Sequence, residues 1–239
     1  MRQRLFTDFD GPLMDVSERY YQVYLYCLDK IRKPYQPIVP LKKEEFWRLK
    51  RAYVSEQEIG YRSGLTEPNQ AQLFSELRSE VIHTEPFFPF DRLHEWAIPA
   101  LTKAQQAGIE LGIMTMRRQR ELEPVLGKYS LGQFFPPHLR FCLPDDYPKT
   151  YDTQDKPRLM LKAIATLPML DCHWIVGDTE ADIVAGKRFN CKTIAVLSGI
   201  RDRPRLELHQ PDYILPHLLA AVELVCGYSG NSSSFSDQR

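Results

Sequence analysis

The 239-residue sequence predicts an α/β fold: a doubly wound parallel sheet with an all-helical cap subdomain inserted into it. Short β-prone runs alternate with helix-period segments from about residue 90 onward. A long charged, helix-forming block separates the first β-prone run from the others. That first run ends in an acidic turn, Asp8-Phe9-Asp10-Gly11-Pro12, and the block emerges from it. Strands alternating with helices require crossover connections, which cover both faces of a parallel sheet.

The elements follow in order. Residues 3–8 read as a strand. From Ser17, a plausible N-cap, Tyr21, Tyr24, Leu25 and Leu28 fall on one helical face, and Pro34 lies past the end. Two more helices are expected at 42–58 and 69–83, on either side of Gly60–Gly64 and Pro68. A helix over 91–107 (Leu93, Ala97, Leu101, Ala104) ends at Gly108, a C-terminal cap. A strand at 109–115, a helix at 118–129 and a weak strand at 140–143 come next. Met160, Ala163, Ile164 and Leu167 then mark a helix, followed by a strand at 172–176, a helix at 180–189, a strand at 191–197 and a last helix at 216–226. The expected division is a core of 1–16 and 89–226, a helical cap of 17–88, and a flexible tail of 227–239.

Lys plus Arg and Asp plus Glu each number 31, so the formal net charge is zero, which argues against a general nucleic-acid or anionic-membrane binder. No apolar run approaches the roughly 18 residues of a membrane span, and Asp8 arrives before any apolar export signal forms. The five cysteines form no CxxC pair, the pattern of reduced thiols in a cytoplasmic protein.

Asp8 and Asp10, two apart in an extended segment, can turn both carboxylates toward one site at a strand end; a plain acidic turn opened by Gly11 accounts for them equally. In Gly177-Asp178-Thr179-Glu180-Ala181-Asp182, a strand gives way to a helix. Thr179 and Asp182 have capping-box spacing, which explains Asp182 but not Asp178. Thr115 and Lys156, taken singly, read as a helix cap and a solvated lysine. Together these residues all fall at predicted strand-to-helix or loop-to-helix junctions on the carboxyl edge of the sheet, where open parallel sheets bind ligands.

The order Asp8-Phe9-Asp10-Gly11, Ile113-Met114-Thr115, Lys156-Pro157 and Gly177 to Asp182 resembles the haloacid dehalogenase (HAD) superfamily, and more closely its phosphoglycolate phosphatase-like branch with a helical C1-type cap. The resemblance covers the core; the insert matches by location and character only. It implies a Rossmann-like core and an Mg2+-dependent phosphatase acting on a small phosphorylated metabolite. Asp8 would be the nucleophile, forming an aspartyl-phosphate, and Asp10 the acid and base. Mg2+ would be held by Asp8, the backbone carbonyl of Asp10, and Asp178, with Asp182 orienting its waters. Lys156 and Thr115 would neutralise and hydrogen-bond the phosphate. A second aspartate after the nucleophile favours phosphate chemistry over dehalogenation.

The sequence departs from the family pattern at Pro12, where Thr is usual and an amide hydrogen is lost, and at Met116. Lys149 and Lys162 compete with Lys156, and the Lys-Pro pair favours Lys156. The cap loop Gly60–Gly64 reads equally as a plain helix–helix turn or as a segment that brings Arg62 to an anionic substrate; Arg117 and Arg118 are candidates for the same role, with solvated surface arginines the plainer reading, and Tyr20, Tyr21, Tyr24 and Tyr26 are expected to be cap packing. Alternative readings are a β-phosphoglucomutase-like phosphoryl-transfer mutase, a phospho-accepting switch, or a non-catalytic binder of a phosphorylated ligand.

Overall fold

The structure, a computed structural model, describes residues 1–228. Six strands form one parallel sheet: β1 (Gln3–Thr7), β4 (Glu110–Arg118), β5 (Arg140–Leu143), β6 (Cys172–Gly177), β7 (Lys192–Val196) and β8 (Tyr213–Leu215), in the order β5-β4-β1-β6-β7-β8. The chain leaves β1 toward β4 and β5, then returns to the other side of β1 with β6. Strand order therefore reverses at the β1/β6 seam, where such sheets open a crevice. Thr7 pairs with both Ile113 and Val176, so β1, β4 and β6 all end at one edge.

Both faces of the sheet are covered, as predicted for parallel pairing. Helices α5 (Ala97–Gln106), α6 (Gln119–Lys128) and α10 (Leu218–Tyr228) bury Leu101, Leu122 and Val222 against one face. Helices α7 (Asp152–Thr166) and α8 (Glu180–Arg188) bury Met160, Ala163 and Ala185 against the other. A short helix α9 (Arg203–Glu207) lies beyond β7. Every residue of β1 is buried, including Gln3 and Arg4; Trp174 donates to Gln3 over 2.8 Å and Arg4 pairs with Glu110.

The block after the acidic turn folds as four helices, α1 (Ser17–Ile31), α2 (Lys43–Arg51), α3 (Glu56–Arg62) and α4 (Gln70–Val81). They enclose their own apolar centre of Tyr24, Leu28, Phe46, Leu49, Ile59 and Phe74. Entry and exit are tied by a two-stranded antiparallel ribbon, β2 (Met14–Asp15) against β3 (Arg92–Leu93). Among the described residues no helix is long and apolar enough to cross a membrane.

Several boundaries differ from expectation. The 42–58 helix breaks between α2 and α3, where Tyr53 takes a φ of 59° and Ser55 caps α3 by accepting from the Glu58 amide. The 91–107 helix begins only at Ala97, because Arg92 and Leu93 pair with β2. Helix α7 starts at Asp152, so Lys156 and Pro157 lie inside it rather than at its entry. Helix α10 reaches Tyr228, so Gly227 and Tyr228 belong to it and not to the expected 227–239 tail; residues 229–239 lie outside the described residues. Helix α9 was not anticipated, although Asp202 followed by Pro204 is a helix-start signature.

Candidate active site

The two central strands place the acids. Asp8 follows β1 and is anchored by its amide donating to the Val176 carbonyl (2.8 Å); Asp178 follows β6, the adjacent strand. Asp182 sits one turn into α8 and caps it, accepting from the Thr179 amide (3.2 Å) and hydroxyl (2.8 Å), so the capping box and the acid cluster are one feature. Ligand oxygens of Asp8, Asp178 and Asp182 all lie within 4.8 Å of one another, and all three residues are buried. From α7, Lys156 places its ammonium 2.6 Å from Asp8 and 2.5 Å from Asp182. Burial opposes its charge, but the two carboxylates outweigh burial and hold it protonated well above the ordinary lysine range.

Three buried carboxylates against one ammonium leave a deficit of two positive charges if all ionise. Burial, and then the charges of Asp182 and Asp178, push the Asp8 carboxyl well up, while Lys156 pulls it back. Burial and Asp182 push Asp178 up to about 7. An all-oxygen donor set with a twofold charge deficit fits a hard divalent cation.

Two glycines shape this pocket. Gly11, at a φ of 87°, and Gly199 press against the Asp178 carboxylate so closely that a Cβ at either would overlap it. The same carboxylate accepts from the Ile200 amide over 2.7 Å. Gly199→Ala is expected to displace Asp178 and cost about 1–3 kcal/mol of stability. A titration of activity against Mg2+ should show at least a tenfold higher half-saturating concentration; an unchanged value would mean that Asp178 is not held by this contact.

Asp10 stands apart from the three-acid cluster. Its Oδ1 accepts from Arg117 Nε (2.9 Å) and Nη2 (2.6 Å), and its Oδ2 accepts from Arg19 Nη2 (2.8 Å). Arg117 also pairs with Asp91, and Arg19 lies 3.1 Å from the same residue. Burial works against ionisation of Asp10, but Arg117 and Arg19 outweigh it and hold its carboxyl far below the usual range; burial instead carries Asp91 up to about 6. Arg117 is thus fully buried and committed to Asp10 and Asp91. Sequence reasoning missed Arg19 and Asp91, which have no spacing signal and meet only because the cap's two connections converge.

Thr115, buried in β4 where the β4/β5 register shifts, lines a cavity of about 460 Å³ with Asp8, Asp178 and Lys156. The cap closes the other wall with Tyr20, Lys50 and Arg78. It is docked on the core: Arg51 donates to the carbonyls of Leu197 (2.8 Å) and Arg201 (3.2 Å), and Asp202 N–H donates to the Arg51 carbonyl (3.0 Å). Arg201 lies 4.2 Å from the Tyr53 ring.

Arg62 is a correction. It is exposed, pairs with Glu58 at 2.8 Å and does not line the cavity, because the expected Gly60–Gly64 loop is largely the end of α3, with Gly60 packed against Leu65 and Phe74 of the cap interior. Tyr24 packs inside the cap as expected, whereas Tyr20 faces the cavity.

The Asp178 shift has a measurable consequence. With a carboxyl pKa near 3.8 unfolded and about 7 folded, the folded state binds more protons between these values, so this group's contribution to stability falls as pH rises through that window. Without divalent cation, the unfolding free energy of the wild type relative to Asp178→Asn is expected to fall by about 1 kcal/mol per pH unit from pH 5 to 7. Urea titrations in EDTA check this. Saturating Mg2+ should reverse the trend, since a cation binds the ionised carboxylates.

Comparison with known proteins agrees with this geometry. The HAD-hydrolase-like family profile matches residues 155–221. The chain is 24% identical over 238 residues to the pyrophosphatase PpaX of Bacillus mycoides, covering 93% of this chain and 96% of that one. It is 26% identical over 215 residues to PpaX of Bacillus velezensis, covering 87% and 89%. Its fold matches a haloacid dehalogenase-like family hydrolase from Streptococcus pneumoniae at a TM-score of 0.63 and 17% identity, covering 94% of this chain and 98% of that one. A predicted phosphoglycolate phosphatase from Haemophilus somnus matches at 0.64 and 14%, with coverage of 94% and 98%. Fold, site and matches define a hydrolase of the phosphatase class. In that profile match, in its relatives and in its fold, the chain is similar to the haloacid dehalogenase-like hydrolases.

Proposed function

We propose that the protein is a Mg2+-dependent phosphatase that hydrolyses a small phosphorylated metabolite through an aspartyl-phosphate on Asp8. The observation that carries this reading is the convergence of Asp8, Asp178, Asp182 and Lys156, from separate segments of the chain, on one buried point beside a cavity. Asp8, Asp178 and the Asp10 carbonyl would hold Mg2+, which supplies positive charge to the phosphate oxygens when bound. Asp8 attacks phosphorus while Lys156 neutralises the meeting of carboxylate and phosphate; like charges at 4 Å oppose each other by roughly 4 kcal/mol at an effective dielectric near 20. Thr115 donates its hydroxyl to a phosphate oxygen. Asp10 lies two residues from the nucleophile, and its place by the cavity suits it to move a proton at the leaving oxygen and then at the attacking water. The two arginines on Asp10 favour its ionised form, which supports substrates whose leaving group needs little protonation.

The PpaX relatives are named pyrophosphatases, and a diphosphate meets that condition, because its leaving group is itself phosphate. The five free cysteines support a reducing, cytoplasmic setting; burial pushes the thiols of Cys27 and Cys191 up to about 12. The test is phosphate release from p-nitrophenyl phosphate, inorganic pyrophosphate and a panel of phosphorylated metabolites, with Mg2+ and with EDTA. Release that requires Mg2+ is expected; equal release in EDTA, or none from any compound, overturns the reading.

A further inference from the structure

A second cavity, of about 620 Å³, lies between α6 and the segment that returns from the cap to the core. Glu121, Pro124, Val125 and Lys128 fall at i, i+3, i+4 and i+7 of α6, so one stripe of this helix forms a wall. The returning segment supplies His83, Phe88 and Pro89 and ends at Asp91, which also lines the cavity. The Phe88 ring is held by the guanidinium groups of Arg19 and Arg117, 5.4 and 5.3 Å from its centre. Asp8, Asp178 and Lys156 line the other cavity and not this one.

The helical stripe is charged at both ends and apolar between them. At one end the Glu121 side chain is only 4% exposed. Its Oε2 accepts from the Arg118 amide over 3.1 Å, which closes the helix cap. Its Oε1 is buried with no hydrogen-bond partner among the described residues, and the Arg118 guanidinium stops 3.7 Å away. The His83 Nδ1 is buried and unpartnered in the same sense. Burial, then the charges of Lys149 and Arg19, hold this imidazole well below the ordinary histidine range, so it is neutral and keeps one nitrogen as an acceptor. Buried acceptors left open are costly unless a donor reaches them. At the other end, the exposed Lys128 holds its ammonium 5.0 Å from the Tyr129 ring. Neither Lys128 nor the exposed Arg120, which also lines the cavity, forms an ion pair among the described residues. Two helical turns, roughly 10 Å, separate Glu121 from Lys128.

We propose that this cavity binds a nucleoside monophosphate whose base carries an amino group. The amine donates to Glu121 Oε1, the flat base lies against Phe88, Pro124 and Val125, and the phosphate meets Lys128 and Arg120. An acceptor and a cation roughly 10 Å apart along one wall, with apolar surface between them, call for an amine and an anion joined by a flat body of that length. An inorganic anion or an α-amino acid is too short to meet both ends. The site borders the groups around Asp10 without opening onto Asp8: Asp91 lines it and fixes Arg19 and Arg117, and His83 lines both cavities. The inference goes beyond the phosphatase reading and does not depend on it.

The experiment is calorimetric titration of the full chain, in EDTA, with adenosine monophosphate, inosine monophosphate and adenosine. Inosine monophosphate has a carbonyl where adenosine monophosphate has its amine, and adenosine lacks the phosphate. Adenosine monophosphate is expected to bind one to one, at least tenfold more tightly than either of the others. Glu121→Gln is expected to reverse the order of the two nucleotides. Its carbonyl oxygen stays on the Arg118 amide, which turns its NH2 into the cavity as a donor. Lys128→Met is expected to weaken adenosine monophosphate at least tenfold and leave adenosine unchanged; lying on the surface, it decides the matter if Glu121→Gln does not fold. Adenosine monophosphate that does not bind, that binds no better than inosine monophosphate, or that binds equally well to both variants overturns the site. The last outcome assigns the nucleotide to the cavity beside Asp8, which neither Glu121 nor Lys128 lines. Because no turnover is measured, each of these failures leaves the phosphatase reading standing.

Discussion

Asp8→Asn is expected to lower kcat for p-nitrophenyl phosphate in Mg2+ by about 10⁴-fold or more, because an amide oxygen cannot form the acyl phosphate and the remaining groups only position the substrate. The electrostatics make this substitution unusually informative. Burial already pushes the Asp8 carboxyl upward, and Asp182 and Asp178 add to that push. Asparagine removes one of these crowded charges and leaves Lys156 its contact with Asp182 at 2.5 Å. The variant is therefore expected to unfold in EDTA no more easily than the wild type. A large loss of turnover with an unchanged or raised urea midpoint isolates the chemical role; turnover within tenfold of wild type removes Asp8 as nucleophile.

The core was legible because its elements carry strong local signals. Near-continuous apolar runs such as 109–115 and 172–176 lie in β4 and β6, and Gly108 falls just past α5 with a φ of 72°. Asp8, Thr115, Asp178 and Asp182 were legible for a topological reason: parallel strands all end at one edge, so residues at successive strand ends gather there whatever their separation in sequence. Lys156 was found by its neighbour Pro157, although the helix around it begins earlier, at Asp152, than the apolar periodicity of Met160 and Ala163 marks. The cap wall was not legible. Lys50, Glu56 and Arg78 come from three helices whose mutual packing no local period records, and each has the local sequence surroundings of an ordinary surface charge. Arg62 drew attention because glycines surround it, but those glycines serve helix packing and a turn inside the cap: Gly60 sits against Leu65 and Phe74, and Gly64 takes a φ of 99°. Charged residues far apart in sequence reveal their role only through tertiary placement, which is why Arg19 and Asp91 were also missed.

Lys156→Met tests the charge balance from the other side, and its expected signature differs from that of Asp8→Asn. The ammonium is fully buried between Asp8 and Asp182, so a methionine of similar length leaves two buried carboxylates with no cation. Breaking a buried pair by removing one partner typically costs about 3–5 kcal/mol. That loss is expected in EDTA, read as a lower urea midpoint, and saturating Mg2+ should recover part of it. Turnover is expected to fall by about 10²–10³-fold even when the variant is folded, since neutralising charge between nucleophile and phosphate acts on the reaction itself. Adding Asp182→Asn should return part of the stability, because it deletes one of the carboxylates left unmatched, yet should not restore turnover. In a double-mutant cycle the two stability losses would then sum to more than the measured total. Strict additivity would place Lys156 and Asp182 in energetically separate surroundings and break the picture of one charge-balanced cluster around Asp8.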